Sequence, residues 1–109
     1  MSYTAEARVR TASAAKYVAQ VCKHWAHDLK VEHQGEVGRI TFPRDARGAD
    51  WPGEALVSLT AEPDALLCRI EASAEGQLEG LKGAIARHID RFAFREAPLT
   101  YDWQPAAGE

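Results

Sequence analysis

The strongest constraint on this chain is a change of apolar period along it, from two to about 3.6, back to two, and to about 3.6 again. Tyr3, Ala5, Ala7 and Val9 alternate with Thr4, Glu6 and Arg8, the pattern of a half-buried strand. Ala14, Val18, Val21, Trp25 and Leu29 then recur at spacings of three and four, with Lys16, Gln20, Lys23 and His27 opposite. This predicts an amphipathic helix opened by Thr11 or Ser13 and running to about Asp28. Leu29 to Phe42 reads as a hairpin around Gln34-Gly35-Glu36, where Gly35 can take a positive φ. Pro43 to Gly53 is a charged loop bounded by prolines, and Ala55–Ala61 and Leu66–Ala72 are two further strands joined through Glu62-Pro63-Asp64-Ala65. Ser73 is placed to cap a second helix whose stripe is Leu78, Leu81, Ile85, Ile89 and Phe92. Gly76, Gly80 and Gly83 each weaken that helix by up to about 1 kcal/mol, so tertiary packing must hold it. Leu99, Tyr101 and Trp103 alternate as a last short strand or an extended tail, and residues 105–109 are expected to fray.

The order is strand, helix, four strands as two hairpins, helix, short strand. Both helices must bury a stripe, and sequential antiparallel strands pair with their neighbours. The expected fold is therefore α+β, a single antiparallel sheet (β-α-β-β-β-β-α-β) with two antiparallel helices on one face. Residues 1–104 form one domain, the usual outcome at 109 residues. The other sheet face carries Arg39, Thr41, Ser58, Thr60, Arg69 and Glu71, with Leu56 and Leu67 among them.

Composition narrows the function classes. The 46% hydrophobic and 27% charged content is that of an ordinary soluble globular protein. A net charge of −3 provides no overall positive field for nucleic acid. Residues 1–30 carry five basic groups against Glu6 and Asp28, a local +3, while the other 79 residues sum to −6. No apolar run approaches the roughly 20 residues that span a bilayer, and no signal-peptide stretch opens the chain. A cytoplasmic protein with Cys22 and Cys68 as reduced thiols is expected.

Imidazole, thiolate and carboxylate gather at Cys22-Lys23-His24-Trp25-Ala26-His27-Asp28. His24 and His27 point about 60° apart on a helix and can share one transition metal, whereas Cys22 lies on the far border of the stripe. Otherwise His24 edges the core, His27 is solvated, and Cys22 packs as a small apolar group. His88 flanks its stripe on the same rotational side as His24. In antiparallel helices the two either both face the inter-helix groove, where they and Tyr17 form a polar pocket, or both face outward as boundary residues. Cys68 alternates with Leu66 and Ile70 and reads as a buried, inert thiol. There is no nucleophile elbow and no phosphate-cradling glycine loop. Trp51 either anchors a ligand or partner from the charged loop or folds back over the sheet edge. Arg91 and Arg95 suit the helix C-terminus, and Phe94, off the stripe, is expected to pack after the helix stops.

Cys22-Lys23-His24-Trp25 with His27, Ala61-Glu62-Pro63-Asp64-Ala65-Leu66, and Arg91-Phe92-Ala93-Phe94-Arg95-Glu96 with Asp102-Trp103 resemble the bacterial family called domain of unknown function 2218. The likeness spans nearly the whole chain in order. It implies a compact α+β domain of the TATA-binding-protein-like type in bacterial cytoplasm, with no established activity. It also implies an association with iron- or siderophore-uptake genes. Arg44 to Pro52 looks like an addition to the family's shorter connection, so the resemblance assigns Trp51 no role.

The expected function is thus a non-enzymatic binding or accessory module linked to iron handling, using the inter-helix groove or the open sheet face. Ligand-binding candidates are His24, His88, Tyr17 and Trp51. No cofactor is expected. The alternatives are a small enzyme holding a transition metal through His24 and His27 or His88, and a homodimer joined through the open sheet face.

Overall fold

The computed structural model describes residues 3–105, the side chain of residue 47 excepted. The elements run β1 (Tyr3–Arg10), α1 (Ala14–Trp25), β2 (Lys30–Gln34), β3 (Val37–Phe42), β4 (Ala55–Ala61), β5 (Ala65–Ala72) and α2 (Glu75–Phe92). The five strands form one antiparallel sheet in the order β1-β5-β4-β3-β2. Each hairpin lies beside the next, and β1 closes against β5 with Ala7 opposite Cys68. Gly35 takes its positive φ of 57° at the β2–β3 turn, where Gln34 pairs with Val37.

Both helices cover the same face, α1 over β2, β3 and β4 and α2 over β5 and β1. Contacts between Tyr17 and Glu96 and between His24 and His88 show that the helices run in opposite directions. Val9, Val18, Val21, Ile40, Val57, Leu59, Leu66, Ile70, Ile85 and Ile89 are sealed between the layers, and Trp25 joins them. The alternation that defined the strands is the alternation of burial: in β4, Ala55, Val57, Leu59 and Ala61 are buried and the residues between them are not. Among the described residues no helix is long and apolar enough to cross a membrane.

The close approach of α1 to the sheet depends on one glycine. A methyl group at Gly38 would overlap the Cys22 sulfur and lie 3.3 Å from a Val18 methyl. Cys22 is therefore a packing residue, filling the space that a missing side chain leaves.

Three local expectations are corrected. Helix α1 stops at Trp25, because Lys30 already pairs with Thr41 and residues 26–28 must turn the chain; Leu29 keeps its apolar phase through that turn. The last strand of the expected β-α-β-β-β-β-α-β order is instead the extended tail given as its alternative, with one isolated bridge, Glu6 to Gln104, closed by backbone bonds of 2.7 and 2.8 Å. Asp90 directs it there by accepting from the Leu99 N–H and the Tyr101 hydroxyl. Phe94 does not pack: it is 71% exposed, with Arg95 over its ring. The fraying expected beyond Pro105 lies outside the described residues.

Gly38→Ala is expected to lose about 1–3 kcal/mol of stability through overpacking. Adding Cys22→Ala to that variant should recover most of the loss, as measured by urea unfolding of the two single variants and the double.

Candidate functional site

The two helices differ in length, and the difference opens a cleft. Twelve residues make α1 about 18 Å long and eighteen make α2 about 27 Å long, at 1.5 Å per residue. Trp25, at the end of α1, reaches only as far as His88. The N-terminal part of α2 therefore extends beyond α1, and the β3–β4 loop stands across from it. Between them lies a cleft of about 750 Å³. Trp25, Asp28 and Leu29 line it from the end of α1, Phe42, Asp45 and Trp51 from the loop side, and Gly80, Leu81, Ala84 and His88 from α2.

The loop wall is braced at both ends. The Trp51 N–H donates to the Arg44 carbonyl at 3.0 Å, and Arg44 pairs with Asp50 in the open. Gln77, 4% exposed, accepts the Ser73 N–H at 2.7 Å and donates to the Gly53 carbonyl at 3.1 Å. Ser73 accepts the Gly53 N–H at 3.0 Å. Ser73 is thus not the cap itself, which is Ala74; it ties the loop to the first turn of α2. Trp51 folds back, not over the sheet edge but with its ring over the first turn of α2, where it lines the cleft. A methyl group at Gly76 would stand 3.0 Å from the indole. Gly80 differs, because a methyl group there would meet nothing within 4 Å and would extend into open cleft.

His24 and His88 do come together in the inter-helix groove, rings 5.1 Å apart and tilted by 50°. The His88 Nδ1–H donates to the Ala84 carbonyl at 2.7 Å, which fixes the orientation of the ring, and the ring sits 4.7 Å from Trp25. His24 is exposed and meets Phe92 edge-on. Tyr17 does not join them. Its hydroxyl donates to Glu96, which also accepts from Thr11, at the other end of the groove. Burial first and the Glu96 carboxylate second push the Tyr17 phenol above its ordinary value. His27 is exposed in the turn after α1, and among the described residues no three His, Cys, Asp or Glu side chains are grouped to hold a metal.

Both cysteines are free and buried. Burial pushes the Cys68 thiol up to about 12, beyond the range of a nucleophile at neutral pH. A raised native value means that ionisation favours the unfolded chain. The stability this thiol contributes is complete below its unfolded value near 9 and is lost as pH rises toward about 12. Urea midpoints should fall above about pH 9, and less steeply in Cys68→Ala, when each protein is compared with its own value at pH 7.

Sequence reading picked out Trp51, the histidine pair and, as the carboxylate of the Cys22–Asp28 run, Asp28, but not Gly80 or Gln77. The signal for Gln77 was present, since a glutamine at the third position of a helix can reach back to the chain before it. Gly76, Gly80 and Ala84 at intervals of four were equally legible as one bare strip of α2.

A family model described as "Uncharacterized protein conserved in bacteria (DUF2218)" matches residues 6–104. No curated protein matches. The chain is similar to the NMR structure of PA4090 from Pseudomonas aeruginosa, with 34% identity, a TM-score of 0.73, and coverage of 95% of this chain and 97% of that one.

Proposed function

The chain belongs to the DUF2218 family of uncharacterised bacterial proteins, and from that premise we propose that it is a non-enzymatic binding module whose ligand site is the cleft between α2, the end of α1 and the β3–β4 loop. Gly80 carries this reading. A glycine inside a helix costs about 1 kcal/mol relative to alanine, and no neighbour requires its small size. What it preserves is the open space above it. A cleft of about 750 Å³ with three aromatic side chains and a few polar ones has the size and lining of small-molecule sites.

The histidine pair is the weaker centre. Structural and catalytic zinc sites take three or four protein ligands, and His24 and His88 supply two. A homodimer through the open sheet face competes for the same fold. Leu56 stands in the row Lys30–Thr41–Leu56–Glu71–Thr4, and Leu67 in the row Gln34–Val37–Thr60–Leu67–Arg8. The row between them, Glu32–Arg39–Ser58–Arg69–Glu6, is charged, and Arg69 pairs there with Glu6 at 3.4 Å. The leucines therefore do not merge into the apolar centre that an interface of about 800 Å² per partner needs.

Gly80→Ala should raise stability by about 0.5–1 kcal/mol, while Gly80→Leu should fold and fill the cleft. A small-molecule screen followed by amide chemical shifts is expected to move Gly80, Ala84 and Trp51, and Gly80→Leu to abolish the response. Ferric hydroxamate and catecholate chelates form the arm that tests an iron-linked role. Shifts that map elsewhere, or silence across the screen, would remove the cleft as the site. For the sheet face, light scattering at millimolar concentration is expected to return the 12.0 kDa monomer, and a dimer mass lost on Leu56→Lys would favour the homodimer instead.

A further inference from the structure

The lining of the cleft selects a charge as well as a shape. Asp28 comes from the turn after α1 and Asp45 from the β3–β4 loop, and both stand among Trp25, Phe42 and Trp51. Arg87 also borders the cleft, but its guanidinium is drawn back along α2, 3.0 Å from where a side chain on Gly83 would begin, and Gly83 is not a lining residue. The Nδ1–H of His88 is committed to the Ala84 carbonyl. Among the described side chains, two carboxylates and three aromatic rings thus border the space, with Arg87 at its α2 edge.

An aromatic ring attracts a cation to its electron-rich face, and partial removal of water strengthens that attraction. A nearby carboxylate adds a charge-assisted hydrogen bond for an ammonium. Neither feature favours an anion, whose charge the two aspartates would repel. Long-range steering has the same sign, since the whole chain carries −3. We propose that the occupant is an organic cation, an ammonium or quaternary ammonium on a compact apolar body. The body lies over the Gly80–Ala84 strip and the charge sits between the aspartates and the indole rings. This rests on the cleft being the ligand site and adds the chemistry that the site selects.

Three probes of one size separate the two claims: phenethylammonium, 2-phenylethanol and phenylacetate, titrated calorimetrically against the full chain. Phenethylammonium is expected to bind about tenfold tighter than the alcohol, and phenylacetate weakest of all. The preference should shrink when salt is raised from 50 to 500 mM. Asp28 and Asp45 are exposed, so Asp28→Asn with Asp45→Asn is expected to keep the wild-type melting temperature. In that variant the cation should bind only as tightly as the alcohol, whose own binding is unchanged. Equal or tighter binding of phenylacetate or the alcohol, or a cation preference that survives the double substitution, overturns the cation class and leaves the cleft standing. Absence of binding by all three, with Gly80→Leu indistinguishable from wild type, overturns both.

Discussion

Two helices must dry one face of a five-stranded sheet, and the dimensions leave little choice in how they do it. Strands about 4.8 Å apart give a sheet about 19 Å across between its edge axes, and helices with their side chains are about 10 Å thick. One layer of two helices covers that width once. The consequence appears in the contacts: α1 takes β2 to β4, α2 takes β5 and β1, and the ten largest fully buried aliphatic side chains are sealed between the layers. Where α1 crosses β3 the separation is so small that Gly38 can carry no side chain, and the Cys22 sulfur occupies the place. Along the width the cover is complete.

Along the length it is not. Helix α1 stops at Trp25, leaving residues 26–29 to turn the chain into β2, whereas α2 starts at Glu75, three residues after β5 ends at Ala72. The N-terminal part of α2 therefore lies at the end of the sheet where α1 has already stopped, beside the β3–β4 loop. The cleft is this remainder. Its walls come from three segments that are distant in sequence and held by different means: a helix end, a loop tied by Gln77 and Ser73, and a helix made bare by Gly80 and Ala84.

That origin explains which features could be read from the chain. Periodicity reports which side of an element is dry, so the strands and both stripes were legible in Val18, Trp25, Ile85 and Ile89; it gave His24 and His88 matching flanks but not whether those flanks face the groove. Where an element stops is decided by what comes next. Leu29 continues the stripe of α1 in phase, and only the pairing of Lys30 with Thr41 shows that the helix has ended before it. Tyr17 shares the flank of His24, yet Glu96, which lies beyond α2 and outside any periodic pattern, draws it to the other end of the groove. Trp51 presented two alternatives in sequence, and neither named its actual support, the empty side of Gly76 on a distant helix. Asp45 looked like an ordinary surface charge and Asp28 like one end of the Cys22–Asp28 run, because the space they share exists only once the helices are laid side by side.

The strap formed by residues 99–104 has an effect on how molecules of this chain meet one another. A sheet exposes two rims with unsatisfied amide groups, and each is a template on which a foreign strand can grow. On the β1 side, Gln104 occupies both backbone groups of Glu6, with Tyr101 and Trp103 stacked behind it. The opposite rim is β2, short and studded with Lys30, Glu32, His33 and Gln34, all wetted. One rim is thus occupied and the other is electrically unattractive to its own kind. Loss of residues 99–104 would free the Glu6 groups of the β1 rim for a foreign strand and uncover the part of the core that Leu99, Tyr101 and Trp103 cover.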